Sequence, residues 1–143
     1  MHLDHGSYAG AKKAIETDGY TSLMFDGSHL AFEENYTKTS ELLALAKDNN
    51  MSFEAEVGTI GGEEDGIIGN GEFADPEEAK KMAQLGIDVL AAGIGNIHGP
   101  YPANWKSLNF EKLQEISSNN RNWYCFTWWK RYSKWANQKG LLV

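Results

Sequence analysis

The chain has 143 residues, of which 41% are hydrophobic and 23% are charged, a composition that predicts one globular domain and excludes a disordered or fibrous chain. Its apolar runs extend over only a few residues, far short of the roughly 20 that a membrane-spanning helix needs, so we expect no membrane span. The formal charge of −7 at pH 7 excludes the basic surface that is typical of nucleic-acid-binding proteins.

Short apolar segments alternate with helical patterns over the first part of the chain. This alternation predicts βαβ units and a parallel sheet. The first three strands are predicted at 2–5, 22–26 and 52–57, and the first two helices near 8–16 and 33–49. The apolar faces of these two helices are expected to include Ala11, Ala14, Ile15, Tyr36, Leu43 and Ala46.

A glycine-rich acidic loop is predicted from 58 to 73, before the next helix. That helix is expected to begin at Asp75-Pro76, because an aspartate caps a helix well and proline suits its first turn, and to end at Gly86. A fourth strand is predicted at 88–92, and a last helix at 110–116 behind a cap at Asn109. The chain is therefore expected to have an α/β fold with about four βα units.

Polar side chains follow the predicted strands. In a (β/α)₈ barrel the chemistry lies at the carboxyl ends of the strands, where the loops meet at one mouth. Histidine nitrogens and carboxylate oxygens arriving there from separate strands suit a divalent metal of the zinc kind. Spacing alone leaves simpler alternatives open, in which the histidines are structural and Asp26 caps the helix beyond Gly27-Ser28. The candidate residues are Asp4, His5, Asp26, Glu56 and His98.

The loop from 58 to 73 has two interpretations. It is a mobile surface loop of the ordinary kind, or it is a lid that hinges at Gly61-Gly62 and brings Glu63 or Glu64 over a substrate as a general base. No lysine falls on a predicted strand, so the sequence offers no candidate for imine chemistry.

Four motifs, in this order, resemble those of the class II, metal-dependent fructose-bisphosphate aldolases, including their tagatose-bisphosphate relatives. They are His-Leu-Asp-His-Gly at 2–6, Met-Phe-Asp-Gly-Ser-His at 24–29, Glu-Ala-Glu-Val-Gly with Gly-Gly-Glu-Glu-Asp-Gly within 54–66, and Gly-Asn-Ile-His-Gly at 95–99. The resemblance covers about residues 1–116. It implies a partial (β/α)₈ TIM barrel with both ends of the barrel missing, since a whole barrel has roughly 250 residues.

The resemblance also implies a metal centre. His5 and His98 would be ligands of a catalytic Zn²⁺, and Asp26 and Glu56 would hold a second divalent or a monovalent cation. Cleavage of the C3–C4 bond of a ketose bisphosphate leaves an enediolate, whose charge a zinc Lewis acid at the C2 carbonyl would stabilise.

The remaining implied roles concern protons and substrate. Asp4 would act on the C4 hydroxyl side of the reaction, and Glu64 would be the loop base for dihydroxyacetone phosphate. The backbone of Gly99 would contact the same triose. The implied substrate is fructose 1,6-bisphosphate, cleaved in glycolysis to dihydroxyacetone phosphate and glyceraldehyde 3-phosphate, and tagatose 1,6-bisphosphate is the alternative.

Composition changes near residue 120. Residues 1–120 contain all 20 acidic and 8 of the 13 basic residues, whereas residues 121–143 contain the other 5 basic residues and four of the five tryptophans. By the resemblance, the chain should continue to a Val-Leu-His-Gly-Gly-Ser-Gly motif with a third zinc histidine and to an Asn-Ile-Asp-Thr-Asp motif. Neither motif is present.

A shift of reading frame would explain the change. Codons for residues 123–134, read one nucleotide later, permit the missing histidine motif, and Trp128-Trp129-Lys130 forces its Gly-Gly. We therefore expect a partial aldolase barrel at 1–116 and a tail at 117–143 that is translated out of frame. The alternative is a native aromatic, basic segment that packs as an amphipathic helix or meets an anionic surface.

Two functional expectations follow. The first is a fragment of an aldolase that is inactive alone, because two of the three expected zinc histidines are present. The second is a non-catalytic fragment that binds metal or assembles with a complementary half. We expect a sugar bisphosphate as ligand, no nucleic-acid or membrane partner, and homo-oligomers for intact family members. The opening residues do not resemble a signal peptide, so a cytoplasmic location is expected.

Overall fold

The structure, a computed structural model, describes residues 1–64, 67–69, 71–99, 103 and 108–119. The predicted tail lies outside these residues from position 120 onward, as does Asp65 of the acidic loop. Within the described part of the chain, no helix is long and apolar enough to cross a membrane.

Parallel strands and helices alternate as the sequence predicts. The elements are β1 His2–Gly6, α1 Tyr8–Ile15, β2 Ser22–Phe25, α2 Phe32–Asp48, β3 Ser52–Val57, β4 Gly61–Glu64, β5 Ile67–Gly69, α3 Pro76–Gln84, β6 Val89–Ala92, β7 Ile97–His98 and α4 Phe110–Asn119. The main sheet has the order β1-β2-β3-β6, and every pair in it is parallel. The expected α/β architecture with four βα units is confirmed.

The prediction of a loop over 58–73 was wrong in its middle. There β4 and β5 form an antiparallel pair, and β4 also pairs in parallel with β7, giving a second sheet of three short strands. These strands are only two to four residues long and rich in glycine. Because they lack a sustained period-2 apolar pattern, periodicity gives no signal for them.

One apolar core lies between the main sheet and its helices. Leu23, Phe25 and Phe53 of the strands are at most 1% exposed, and they pack with buried residues of α2 and α3. The predicted apolar face of α1 is buried, as are Leu43 and Ala46 of α2, whereas Tyr36 is half-buried. The buried stripe of α2 also contains Asn35 and Thr39, two polar residues that apolar periodicity alone does not identify.

The predicted helix starts are confirmed. Asp75 Oδ1 accepts hydrogen bonds from the backbone N–H groups of Glu77 and Glu78 at 2.9 and 3.1 Å, with Pro76 in the first turn. Asn109 Oδ1 accepts from the Lys112 N–H at 2.9 Å, and α4 then continues to Asn119, three residues beyond its predicted end.

Candidate metal centre

His5 lies in a β-bulge of β1. Leu3 pairs with Leu23 and Gly6 with Phe25, so three steps along β1 match two along β2. The φ angle of His5 is +44°, a left-handed conformation that is uncommon for a non-glycine residue. Bulges are found next to active sites, where they change the direction of a side chain. The His5 side chain is 10% exposed.

Asp26 follows β2 and joins His5 to a tight turn. Its Oδ2 lies 3.0 Å from His5 Nδ1, and its Oδ1 accepts hydrogen bonds from the Ser28 N–H at 3.0 Å and the Ser28 hydroxyl at 2.7 Å. The alternative in which Asp26 caps the following helix was wrong, because α2 begins at Phe32 and its N-cap residue, Ala31, makes no side-chain cap hydrogen bond. Asp26 is too far upstream to cap that helix, and instead closes a turn over Ser28.

The environment of Asp26 favours its ionised form. Burial by itself raises the pKa of the carboxyl group, but the hydrogen bonds from His5 and Ser28 outweigh burial and lower the pKa to about 2. Asp26 is therefore an anion at neutral pH, and its oxygen beside His5 is available as an anionic ligand.

Glu56 is a buried carboxylate at the end of β3. It is 1% exposed, and its Oε1 accepts a hydrogen bond from the Ile60 N–H at 3.2 Å. Its Oε2 is buried without a hydrogen bond from any atom in the described residues. Burial and the nearby charge of Asp26 raise the pKa of Glu56 to about 8, against the opposing effect of His5. A buried carboxyl group of this kind requires a partner that stabilises its charge.

These three residues form a group that could hold a metal ion. His5, Asp26 and Glu56 each offer one ligand atom, and the three atoms lie within 4.8 Å of one another. One imidazole and two carboxylates suit a divalent cation of the zinc or manganese class. A cation here would supply the positive charge that Glu56 needs in order to ionise.

His98 lies beside this group rather than within it. Its ring packs edge-on against the His5 ring, with centroids 5.0 Å apart and an interplanar angle of 81°. The position of His98 follows from the second sheet, where it pairs with Gly62. A Cβ at Gly62 would overlap the His98 backbone, and Gly62 has a φ of +92°. Close packing of β4 on β7 thus explains the glycine at position 62, which one of the two interpretations of this segment treats as part of a lid hinge.

The other predicted site residues lie outside the group of three. The side chain of Asp4 is 65% exposed, and its Oδ1 is 3.9 Å from His2 Nε2, which lies 4.0 Å from Glu54 Oε2. The backbone of Glu64 pairs with Ile67 in the second sheet, and the position of its side chain lies outside what the structure describes. Gly99 has a φ of +83°, and among the described residues, its chain neighbours aside, no atom lies within 4 Å of the place a Cβ would occupy.

Sequence reasoning missed one residue that the structure connects to the site. Asn35 of α2 is 3% exposed, and its side-chain Nδ2 donates a hydrogen bond to the Glu56 backbone carbonyl at 2.8 Å. A signal was present, since positions 35, 39, 42, 43 and 46 follow helical spacing and place two polar residues on an otherwise apolar stripe.

Comparison with known proteins gives one consistent result. A family profile described as "Fructose-bisphosphate aldolase class-II" matches residues 1–124. The fructose-bisphosphate aldolase of Mycoplasma pneumoniae is 62% identical over 117 residues, and that of Streptococcus pyogenes serotype M6 is 60% identical over 118 residues. Each match covers 82% of this chain and 40% of the relative. The chain therefore spans about 40% of the length of the curated relatives it matches.

Two solved structures share the fold. A protein from Coccidioides immitis, assigned as a fructose-1,6-biphosphate aldolase, superposes with a TM-score of 0.75 at 37% identity, over 82% of this chain and 43% of that one. The YdjI aldolase from Escherichia coli K12 superposes with a TM-score of 0.67 at 30% identity, over 86% of this chain and 42% of that one.

Proposed function

The chain belongs to the class II fructose-bisphosphate aldolase family, and from this membership we propose that it is part of a zinc-dependent lyase that cleaves fructose 1,6-bisphosphate into dihydroxyacetone phosphate and glyceraldehyde 3-phosphate. The observation that carries the proposal is the group of ligand atoms from His5, Asp26 and Glu56. These residues follow or end three neighbouring parallel strands, at the edge where barrel enzymes have their active sites. The activity is proposed for a protein of the relatives' full length, of which this chain spans about 40%.

The metal ligands proposed here follow the family motifs. His5 and His98 would bind the catalytic Zn²⁺, and Asp26 and Glu56 would hold a second divalent or a monovalent cation. The buried, proton-retaining carboxyl group of Glu56 supports a cation at this place, because only a nearby positive charge makes its ionisation favourable at neutral pH. When bound, zinc would polarise the C2 carbonyl of the substrate and stabilise the negative charge that cleavage leaves behind.

The protein residues would position substrate and move protons. Asp4, adjacent to His5 and largely exposed, would exchange a proton with the C4 hydroxyl of the sugar. Glu64 would be the base that handles the dihydroxyacetone-phosphate proton. Gly99 would contact the triose through its backbone, and within the described part of the chain no side chain fills the place that a Cβ would occupy there.

We place the reaction in glycolysis and the protein in the cytoplasm, with homo-oligomers for the intact enzyme. Tagatose 1,6-bisphosphate, the C4 epimer, is an alternative substrate.

A direct test uses the purified chain. We expect it to bind Zn²⁺ but to show no cleavage of fructose 1,6-bisphosphate in a coupled triose-phosphate assay. A His5→Ala, His98→Ala double variant should lose zinc binding, whereas His29→Ala, at an exposed histidine, should retain it. Absence of zinc binding by the unmodified chain would contradict the proposed metal centre, and EDTA-sensitive turnover would contradict the proposed inactivity.

A second candidate function is a non-catalytic fragment that binds metal or assembles with a complementary half of the barrel. It is favoured by the sheet itself, in which β1 and β6 are the outer strands of four, whereas a closed barrel has eight. Zinc binding without turnover, combined with recovery of cleavage when the missing barrel segments of a relative are added, would support this candidate. Zinc binding without any such recovery would argue against assembly.

A further inference from the structure

The Asn35 side chain connects α2 to the two strand ends that carry the acidic metal-centre residues. Its Nδ2 donates to the backbone carbonyl of Glu56 at 2.8 Å, and its Oδ1 accepts from the Thr39 hydroxyl, one helical turn further along, at 3.2 Å. Asn35 is 3% exposed and Thr39 is fully buried. Because both ends of the amide are engaged, the side chain has one preferred orientation.

Asn35 also touches the segment that follows Asp26. A Cβ at Gly27 would overlap the amide oxygen of Asn35 and would lie 2.9 Å from a ring carbon of Phe25. Only a glycine therefore fits at position 27 while Asn35 keeps its orientation. The amide thus fixes how closely the chain beyond β2 approaches α2.

The two ends of Glu56 are held separately. Asn35 holds the backbone carbonyl, while the Ile60 N–H holds the side-chain Oε1. The N-cap residue of α2, Ala31, makes no side-chain cap hydrogen bond, and the buried Asn35 amide connects this end of the helix to the end of β3. An apolar side chain of similar volume would fill the same space without fixing an orientation.

We propose that Asn35 is a positioning residue for the metal centre, which sets the separation between the carboxylates of Asp26 and Glu56 through the Glu56 carbonyl and through Gly27. This inference rests on the proposed metal centre. Residues that orient metal ligands typically change metal affinity by about 10- to 100-fold when they are removed.

The test measures metal binding to the full chain rather than turnover. Zn²⁺ affinity is obtained by competition with a chromophoric chelator, and the Co²⁺ absorption spectrum reports the ligand geometry. Asn35→Leu removes both hydrogen bonds at nearly constant volume, and we expect zinc binding to weaken about 10- to 100-fold with a changed Co²⁺ spectrum. Thr39→Val, a milder change that keeps the shape of the site, should weaken binding in the same direction by a smaller factor.

A matched control separates positioning from general loss of stability. Leu43 is also buried on α2, about 12 Å further along the helix axis from Asn35. Leu43→Ala should lower the unfolding midpoint but leave zinc affinity within about twofold of the unmodified chain. Unfolding midpoints of all variants are recorded beside the affinities.

A second substitution, at Gly27, tests the contact between this glycine and the Asn35 amide. Gly27→Ala should weaken zinc binding, because the new Cβ displaces the Asn35 amide. Gly27→Ala should also be made in the Asn35→Ala variant, which lacks the amide oxygen that the new Cβ displaces. There it should change the logarithm of the zinc affinity by less than about half as much as it does in the wild type.

The outcomes distinguish the inference from the proposed function. If the unmodified chain binds neither Zn²⁺ nor Co²⁺, the metal centre is wrong and the inference falls with it. If the unmodified chain binds and Asn35→Leu, or Thr39→Val where the former does not fold, has unchanged affinity and spectrum, the metal centre stands and the inference alone is overturned.

Discussion

Replacement of Glu56 by glutamine should stabilise the metal-free chain at neutral pH and weaken its stabilisation by zinc. Glutamine keeps an oxygen for the Ile60 N–H and has nearly the same shape, but it cannot ionise. The wild-type carboxyl group is held protonated by burial and by Asp26, with its pKa raised from 4.5 to about 8. At pH 7 the unfolded chain would release this proton, whereas the folded chain retains it.

The size of the expected stabilisation follows from the pKa shift of Glu56. Between pH 4.5 and pH 7 each pH unit costs the folded state 1.36 kcal/mol, which gives an upper limit of about 3 kcal/mol at pH 7. A new amide N–H₂ group beside His5 and Asp26 offsets part of this gain, so we expect a net stabilisation of about 1 to 3 kcal/mol. Zinc at a 100-fold excess over the Kd should stabilise the wild type by about 2.7 kcal/mol and the variant by less, which narrows the difference in stability between them.

The pH dependence has a defined sign. Because the pKa of Glu56 is raised by folding, its contribution to stability is fully present below pH 4.5 and is lost as the pH rises towards 8. The advantage of Glu56→Gln should therefore be absent at pH 4.5, grow through pH 7 and level off above pH 8. Asp26 acts oppositely, since its lowered pKa gives stability that is present above pH 3.8 and lost as the pH falls towards 2.

The assay is urea unfolding followed by far-ultraviolet circular dichroism, in EDTA and in zinc, at several pH values. Glu16→Gln, at an exposed glutamate, is the control and should change stability by less than about 0.5 kcal/mol at every pH. A Glu56→Gln variant that is less stable than wild type at pH 7 in EDTA would refute the reasoning, since the buried carboxyl group would then not be a cost to the metal-free fold.

Two further predictions follow from the contacts of Asp26 and Gly62, and a third from the sequence of the tail. Asp26→Asn should weaken zinc binding at least tenfold in a chelator competition, because it removes the anion beside His5. It should also lower the unfolding midpoint at neutral pH, because the stability that the lowered pKa of Asp26 supplies is lost, although the amide oxygen can still accept from Ser28. Gly62→Ala should destabilise the chain by about 1 kcal/mol more in urea unfolding than Gly19→Ala, because both positions have positive φ but only a Cβ at position 62 overlaps another backbone. Sequencing of the gene from codon 110 onward should show the histidine motif in the shifted frame; a gene without that alternative reading would end the frameshift proposal.

Periodicity and capping chemistry predicted the main sheet and its helices well. β2, β3 and β6 have buried apolar residues in the core, and Leu3 of β1 is partly buried against it. Asp75 caps α3 and Gly86 follows its end with a positive φ, as predicted. Burial of one face gives these elements a pattern that can be recognised from the sequence. The second sheet has no such pattern, because its strands are short and are placed by backbone pairing with β7 rather than by an apolar face.

The sequence predicts which types of residue form the candidate site, but it does not predict which buried residues hold them in position. Asp26 and Glu56 were predicted as candidate metal ligands because carboxylates and histidines at the ends of separate strands suit a divalent cation and because both lie in motifs that resemble the aldolase family. Asn35 was not, although it contacts the carbonyl of Glu56, because an asparagine on a helix has no single role that the sequence specifies. Its partner is 21 positions away in the chain, and only the packing of α2 on β3 brings the two together.

The position of His5 shows why alternation along a strand fails at this site. Leu3 pairs with Leu23 and, through it, with Phe53, all in the layer that faces the helices. Strict alternation would therefore place His5 opposite Phe25 in the same apolar layer, two residues after Leu3. Because of the bulge, Gly6 rather than His5 pairs with Phe25. His5, with its positive φ, lies beside Asp26 instead. A glycine at position 6 is required for this exchange, since a Cβ there would lie 2.6 Å from a Leu3 methyl group and 2.8 Å from the Met24 carbonyl oxygen. His5 and the glycine that follows it are thus one structural unit, in which the glycine makes room for the bulge and the bulge directs the imidazole to Asp26.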